Sequence, residues 1–105
     1  MTSFRVIVTT CLSGCVPSGT GLTDGHFTHI FIDEAGQASE PECFVPITNT
    51  LGNETNVILS GDPCQLGPII QSPISVEYGL GISFLERLMQ SEMYDERGQD
   101  GNTCV

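Results

Sequence analysis

The chain has 105 residues, of which 39% are hydrophobic, and it contains no tryptophan. A chain of this size can form one modest domain, near the lower limit for a stable hydrophobic core, and a second domain is not expected. Its formal net charge is −10, whereas a protein that binds nucleic acid on its own needs a basic surface to displace counterions, so the composition argues against strong RNA binding by the chain alone.

Three short segments predict the strands of a parallel sheet. Residues 4–10 are rich in β-branched side chains, which favour extended structure. Residues 29–33 and 56–60 are short apolar runs of the kind found in buried parallel strands. Parallel strands need a crossover connection between them. The sequence therefore predicts an α/β fold with three parallel strands.

The connections between these strands are predicted to be one loop and one helix. Residues 14–21 are rich in glycine, serine and proline, which predicts a loop after the first strand. The crossover at residues 39–49 is predicted to be helical, with Ser39 as its N-cap, because a serine hydroxyl can bond to the first helical turn. Pro46 lacks a backbone N–H, so it predicts that this helix is short or kinked.

The segment after the last predicted strand divides into three parts. Residues 67–79 contain glycine and two prolines and are predicted to form an extended loop. Apolar residues recur at helical spacing over residues 82–89, which predicts a helix that packs on the core. Residues 92–105 are acidic and rich in small turn residues, so a disordered tail is expected there. The expected organisation is one domain at residues 1–91, followed by this tail.

Polar side chains follow the second and third predicted strands. Asp33 and Glu34 end one apolar run, and Asp62 and Gln65 lie just beyond the other. Ligands of open α/β sheets bind outside the carboxyl ends of parallel strands, so these side chains are expected to emerge side by side as a nucleotide-hydrolysis site. An acidic pair after one apolar strand more often turns into solvent, but the second block, with its Gly61 turn, makes the functional interpretation more specific.

The residue types at these strand ends suit nucleotide hydrolysis. Asp33 is the candidate Mg²⁺ ligand, since this hard cation prefers oxygen ligands and keeps much of its water shell. Glu34 is the candidate catalytic base, which would orient and deprotonate the attacking water. Gln65 is the second catalytic candidate, because its amide can donate and accept hydrogen bonds and so register whether the γ-phosphate is attached.

Two motifs resemble those of a known family. Asp-Glu-Ala-Gly-Gln at residues 33–37 looks like motif II of superfamily 1 helicases of the Upf-like branch, and Gly-Asp-Pro-Cys-Gln-Leu-Gly-Pro at residues 61–68 looks like motif III. The Gln-Leu-Gly-Pro ending and the segment at residues 72–88 are similar to the Armitage and Mov-type RNA helicases of RNA-silencing pathways. The likeness covers residues 4–89 and is carried mainly by these motifs.

This resemblance implies a partial RecA-like motor domain of the P-loop NTPase class. It implies ATP and Mg²⁺ as ligands, single-stranded RNA as the substrate along which the intact enzyme moves, and RNA-silencing proteins as partners. Asp62 would bind the nucleotide and, with Gln65, link the γ-phosphate to the RNA path. Thr9 and Thr10 resemble the threonine-rich turn that touches the RNA backbone in this family.

The family's phosphate-binding lysine has no counterpart in this sequence. The chain contains no lysine, and Thr20 stands where the lysine would be in the glycine-rich stretch at residues 14–21. The arginines that the family contributes from a second RecA-like domain are absent as well. We therefore expect these 105 residues to be inactive alone. The alternative interpretation is a noncatalytic acidic fragment that binds a protein partner or does not fold.

The cysteines and the apolar segments bear on location. Five cysteines form no Cys-x-x-Cys pair, which indicates reduced thiols and no disulfide-linked partner. The apolar start is short for a signal peptide, and no stretch approaches the roughly 18 apolar residues that a membrane span needs. The expected location is the cytoplasm, with ribonucleoprotein granules as one option, and no membrane partner is expected.

Overall fold

The computed structural model describes residues 4–91 and 94, and its sheet has two parallel strands. Strand β1 is His29–Ile32, strand β2 is Asn56–Leu59, and their register places Ile32 opposite Leu59. The predictions of an α/β fold and of these two parallel strands are therefore confirmed. The helices are, in chain order, a 3₁₀ helix at Leu12–Cys15, α1 at Val16–Gly19, α2 at Glu40–Thr50, α3 at Pro73–Glu77 and α4 at Phe84–Met89.

Helix α2 is the crossover between the two strands. It begins where the sequence predicts, because the backbone N–H and the hydroxyl of Ser39 both donate to Glu42 Oε2, at 2.8 and 2.7 Å. The prediction that Pro46 shortens this helix is wrong, since α2 continues to Thr50. The backbone of Gly14 lies so close to Pro46 that an added Cβ would be 2.7 Å from the proline Cβ. The 3₁₀ helix therefore packs tightly against α2 at Pro46.

The hydrophobic core lies between the sheet, α2 and α4. Helix α4 contributes Phe84 and Leu85 as half-buried side chains, and Arg87 on the same helix forms a two-bond ion pair with Glu40, both bonds being 2.7 Å long. The predicted core helix at residues 82–89 is thus confirmed in part, because Met89 stays 51% exposed. The buried apolar residues in the described part of the chain are Ile30, Ile32, Ala35, Cys43 and Ile47.

The predicted strand at residues 4–10 does not form. This segment lies opposite β1 across an open groove of about 870 Å³, which both segments line. Within the described part of the chain, no backbone hydrogen bond joins the segment to β1. Val6 and Val8 are 77% and 94% exposed, so they gain little from burial. A β-branched composition favours extended backbone, but a strand also requires a paired neighbour.

Two predicted loops contain helices. Residues 14–21 lie mostly in the 3₁₀ helix and α1, which pack beside α2. Residues 67–79 include α3, because Ser72 Oγ accepts a hydrogen bond from the Ser75 N–H at 3.3 Å and Pro73 occupies the first helical position, where its missing N–H costs nothing. The predicted tail at residues 92–105 lies outside the described residues, apart from residue 94. No helix in the described ranges has both the length and the apolar character needed to cross a membrane.

Candidate functional site

The turns that follow β1 and β2 are joined by backbone hydrogen bonds. The Ser60 N–H donates to the Ile32 carbonyl at 2.9 Å, and the Ala35 N–H donates to the Ser60 carbonyl at 2.8 Å. The parallel ladder thus continues past the last strand residues. We call residues 33–37 and 60–65 together the carboxyl edge. The structure places Asp33, Glu34, Asp62 and Gln65 there, on adjacent turns.

Two glycines allow the turns of the carboxyl edge to lie back to back. A Cβ added to Gly61 would lie 3.0 Å from Ala35 N and 3.1 Å from Gly36 N. A Cβ added to Gly36 would lie 3.0 Å from the Asp62 carbonyl oxygen. Gly61 also has φ +151°, a backbone conformation that L side chains rarely adopt. These positions therefore require glycine if the two turns are to keep this spacing.

Asp33 presents an exposed carboxylate at the end of β1. Its Oδ1 accepts a hydrogen bond of 2.6 Å from Ser60 Oγ, whereas its Oδ2 accepts none from the described residues. Those residues contain no group of three histidine, cysteine or acidic side chains that could enclose a metal ion. Mg²⁺ does not need such a cage, because it is usually bound through one or two carboxylates, several waters and substrate phosphates. The donors at Asp33 fit Mg²⁺.

Glu34 has an unusual backbone conformation. Its φ is +52°, and it is the only residue other than glycine in the described ranges with a positive φ. The Gln37 N–H donates to the Glu34 carbonyl at 2.9 Å, and the Gln37 side-chain amide donates to Glu34 Oε2 at 3.3 Å. The Glu34 side chain is exposed beside Asp33 and does not enter the core. Its carboxylate is therefore accessible to solvent.

Asp62 and Gln65 form one closed turn. Asp62 Oδ1 accepts the Cys64 N–H at 2.9 Å, and Asp62 Oδ2 accepts the Gln65 side-chain amide at 3.3 Å. The Gln65 N–H also donates to the Asp62 carbonyl at 3.2 Å. Both side chains are exposed. The Gln65 side-chain amide has two N–H groups, of which one bonds to Asp62, so the other is available to a ligand such as phosphate.

Thr9 and Thr10 lie apart from the carboxyl edge. Both are exposed, and their side chains form local hydrogen bonds: Thr9 Oγ1 donates to the Thr10 carbonyl at 3.3 Å, and Thr10 Oγ1 accepts from the Ser13 N–H at 3.4 Å. They line the groove beside β1, and Asp33 lines its carboxyl end. The groove thus connects the two sets of candidates without a direct bond between them.

The cysteines nearest the core are poor nucleophiles. Burial raises the pKa of the Cys43 thiol to about 11, with smaller contributions from Cys11 and the acids at the start of α2. Burial also raises the pKa of Cys11. Both groups therefore remain protonated at neutral pH, and a thiolate is the reactive form of cysteine. The oxygen-rich carboxyl edge is the stronger candidate for chemistry.

Sequence reasoning assigned no role to Ser60 or Gln37, yet each bonds to a candidate acid. Ser60 is one residue beyond β2, in the register position that faces the turn after β1. Gln37 is three residues after Glu34, a spacing that suits a bond across a turn. The sequence did contain a feature that pointed to Ser60. It has a hydroxyl at the end of one predicted strand, and the parallel neighbour of that strand ends in an acid.

Comparisons with known proteins agree with the two motifs. A family model described as an AAA domain matches residues 1–73. The human protein named RNA helicase Mov10l1 is 52% identical over 101 residues, which are 96% of this chain and 8% of that protein. The Drosophila melanogaster protein named Probable RNA helicase armi is 44% identical over 90 residues, covering 86% of this chain and 8% of that relative.

A third relative represents a different group of the same branch. The Dictyostelium discoideum protein named Regulator of nonsense transcripts 1 is 41% identical over 92 residues, which are 88% of this chain and 6% of that protein. The chain thus spans between 6% and 8% of the length of these three curated relatives. The predicted resemblance is confirmed: the chain belongs to the AAA domain family, among the superfamily 1 RNA helicases of the Upf-like branch.

Proposed function

We propose that this chain supplies the Mg²⁺-binding and water-activating part of the ATPase site of an RNA helicase of the Armitage and Mov type. Membership of this family implies use of ATP and Mg²⁺ and binding to RNA. The observation that carries the proposal is the hydrogen-bonded pairing of the two turns at the carboxyl edge, which presents Asp33, Glu34 and Gln65 from neighbouring strands. Hydrolysis by the whole protein would drive its movement along single-stranded RNA.

Three residues of the carboxyl edge have distinct roles in this proposal. Asp33 would hold Mg²⁺, which when bound neutralises charge on the phosphate oxygens during transfer. Glu34 would accept a proton from the attacking water, a role that its exposure beside Asp33 permits. Gln65 would bond to the γ-phosphate through the N–H group that does not bond to Asp62, and this bond would report whether that phosphate is present.

The remaining parts of the site must come from the rest of the protein. A phosphate-binding loop supplies backbone N–H groups and a lysine, and this chain has no lysine. RNA contacts would come from Thr9 and Thr10 on the groove side of β1, together with basic surfaces elsewhere, because the net charge here is −10. We further propose RNA-silencing proteins as partners and the cytoplasm as the place of action.

A second candidate function applies to these residues when they are separated from the rest of such a protein. The free edge of β1 and its neighbours expose apolar side chains, with Phe31 at 74% and Val8 at 94% exposed. An open strand edge favours pairing with another chain. A noncatalytic acidic fragment would bind its protein partner through this surface. Under this second function, a longer protein that contains the segment would show no RNA-stimulated ATP hydrolysis.

The test is the substitution Glu34→Gln in the full-length protein that carries this segment. RNA-stimulated ATP hydrolysis should fall at least about 100-fold, because the amide cannot accept the proton, while affinity for a non-hydrolysable ATP analogue stays within about twofold. Glu54→Gln is the matched control, since Glu54 is also exposed but precedes β2 at the opposite end of the sheet. Hydrolysis by the Glu34→Gln variant at the rate of the control would overturn the role of Glu34.

A further inference from the structure

Ser60 makes three hydrogen bonds to the turn that carries the candidate acids. Its N–H donates to the Ile32 carbonyl at 2.9 Å and its carbonyl accepts the Ala35 N–H at 2.8 Å. Its hydroxyl donates to Asp33 Oδ1 at 2.6 Å. The two backbone bonds are open to almost any residue type, whereas the third requires a hydroxyl at this position. The side chain of Ser60 therefore makes a bond to Asp33 that the backbone pairing does not need.

The bond from Ser60 to Asp33 is short and charge-assisted. A distance of 2.6 Å is typical of a hydroxyl that donates to an ionised carboxylate. No other described residue bonds to the Asp33 carboxylate, and that side chain is exposed. Without the hydroxyl, the carboxylate would sample several rotamers in water. The bond thus holds the carboxylate in one orientation and leaves Oδ2 available to a ligand.

We propose that Ser60 is a positioning residue for the metal site, whose hydroxyl orients the Asp33 carboxylate so that Oδ2 faces the hydrated Mg²⁺ of the bound nucleotide. This inference rests on the proposed function and deepens it. An oriented carboxylate binds a hydrated cation more tightly than a freely rotating one, because less side-chain entropy is lost on binding. The expected effect of losing the hydroxyl is thus on the affinity for metal, with the proton-accepting step at Glu34 intact.

Ser60 also links the two motifs along the chain. It directly precedes Gly61 and Asp62, and its own bonds reach Ile32, Asp33 and Ala35. A change in the turn that holds Gln65 would therefore be passed to the metal-binding carboxylate through one residue. This connection would make metal affinity respond to whether the γ-phosphate is bound.

The test uses the full-length protein with Ser60→Ala and Ser60→Thr. Electron paramagnetic resonance would measure Mn²⁺ binding in the presence of a non-hydrolysable ATP analogue, and RNA-stimulated hydrolysis would be followed against Mg²⁺ concentration. Ser60→Ala should raise the half-saturating concentration of both metals about threefold to tenfold, the loss expected for one exposed hydrogen bond to a charged group. The rate at saturating Mg²⁺ should stay within about twofold of wild type.

Two comparisons separate positioning from a structural role. Ser60→Thr keeps the hydroxyl and should restore metal affinity. Ser91→Ala is the matched control, because the Ser91 hydroxyl also donates over 2.6 Å, but to the Leu88 carbonyl at the end of α4. It should not change metal binding. The thermal unfolding midpoint should be the same in all these variants.

The outcomes distinguish failure of this inference from failure of the proposed function. Unchanged metal affinity in Ser60→Ala, with normal hydrolysis by the wild-type protein, would overturn the inference alone. A fall in thermal stability without a change in metal affinity would also overturn it, because Ser60 would then be structural. A wild-type protein that neither binds the ATP analogue nor hydrolyses ATP would overturn the proposed function itself.

Discussion

The carboxyl edge and the segment at residues 4–10 both lie next to β1, yet they are organised differently. At the carboxyl edge, backbone bonds of 2.8 and 2.9 Å join two turns, and glycines let the backbones approach closely. The segment at residues 4–10 is rich in apolar and β-branched residues but forms no strand, and an open groove of about 870 Å³ separates it from β1. Only the first of these regions continues the hydrogen-bonded ladder of the sheet.

This difference shows what fixes a neighbouring strand beside β1 in this chain. The apolar content of residues 4–10 is not enough to pair this segment with β1, since Val8 remains 94% exposed. The carboxyl edge is polar and exposed, but each of its turns satisfies backbone groups of the other. The candidate side chains thus stand on the region whose backbone is better connected by hydrogen bonds.

The largest effect of a substitution on stability is expected where the two turns of the carboxyl edge are in contact. Gly61→Ala places a Cβ about 3.0 Å from Ala35 N, which cannot move easily because it donates to the Ser60 carbonyl. The substitution should lower the free energy of unfolding of the chain by about 2–4 kcal/mol, through crowding and an unfavourable φ together. Chemical denaturation followed by circular dichroism would measure this loss.

Gly79→Ala is the control that separates crowding from backbone strain. Gly79 has φ +90°, but a Cβ there would meet no atom within 4 Å. Its loss of stability should be about 1 kcal/mol, the cost of placing a side chain in this region of φ. Equal losses for the two variants would contradict the close contact inferred between the turns.

A smaller effect is expected in the amino-terminal region, where the 3₁₀ helix packs on α2. Gly14→Ala would place a Cβ 2.7 Å from Pro46 Cβ and 3.0 Å from Pro46 Cα. Overpacking at this contact should lower the free energy of unfolding by about 1–3 kcal/mol. Amide chemical shifts in nuclear magnetic resonance spectra should change near residues 11–19 and in α2, but not at Ser60 or Ala35.

Gly19→Ala provides the comparison for this contact. A Cβ on Gly19, at the end of α1, meets nothing within 4 Å. Its effect on stability should be below about 0.5 kcal/mol. Shifts at the carboxyl edge as large as those in α2 would show that the two regions are coupled and would break the contrast drawn between them.

The smallest effect is expected at the start of α2, just after the carboxyl edge. Hydrogen bonds from the Ser39 hydroxyl, and then from its N–H, lower the pKa of Glu42. A group whose folded pKa is lowered stabilises the fold when it is ionised, and this stability is lost as the pH falls through the ordinary glutamate range and below. Ser39→Ala should cost about 1 kcal/mol at neutral pH, and its stability should fall less steeply with acid.

Ser72→Ala is the control for this acid dependence. Ser72 caps α3 by accepting a bond of 3.3 Å from the Ser75 N–H and has no acidic partner in that cap. Unfolding would be measured from roughly pH 7 to pH 3, which spans the range where glutamate titrates. Ser72→Ala should follow the wild-type slope. If Ser39→Ala also followed the wild-type slope, the Ser39 hydroxyl would not be the cause of the lowered Glu42 pKa.

Local signals in the sequence were sufficient for the elements that depend on near neighbours. The apolar runs of β1 and β2, the Ser39 cap and the apolar spacing of α4 each lie within a few residues; the first three predictions are confirmed, and the prediction of α4 is confirmed in part. The positions of the candidate acids followed from the parallel pairing, because strands that run the same way end at the same edge. The roles assigned to Asp33, Glu34 and Gln65 stay predictions.

The errors arose where structure depends on distant contacts or on overlooked caps. A third strand at residues 4–10 would have needed hydrogen bonds to β1, about which composition says nothing. Helix α2 continues through Pro46, which packs against Gly14, 32 positions earlier in the sequence, and composition near the proline does not show that contact. Helix α3 was predictable, since Ser72 followed by Pro73 is a typical helix start. Predicting the bond from Ser60 to Asp33 would also have required the register of the two strands.

The backbone of Glu34 sets stability against activity at a single position. A φ of +52° disfavours glutamate, whereas glycine adopts it at little cost. Most substitutions destabilise a protein, but glycine at this position would relieve the unfavourable φ, and glycine has no carboxylate. A glutamate at this position thus sets backbone stability against the role proposed for its carboxylate. Stability design of this protein should leave position 34 untouched.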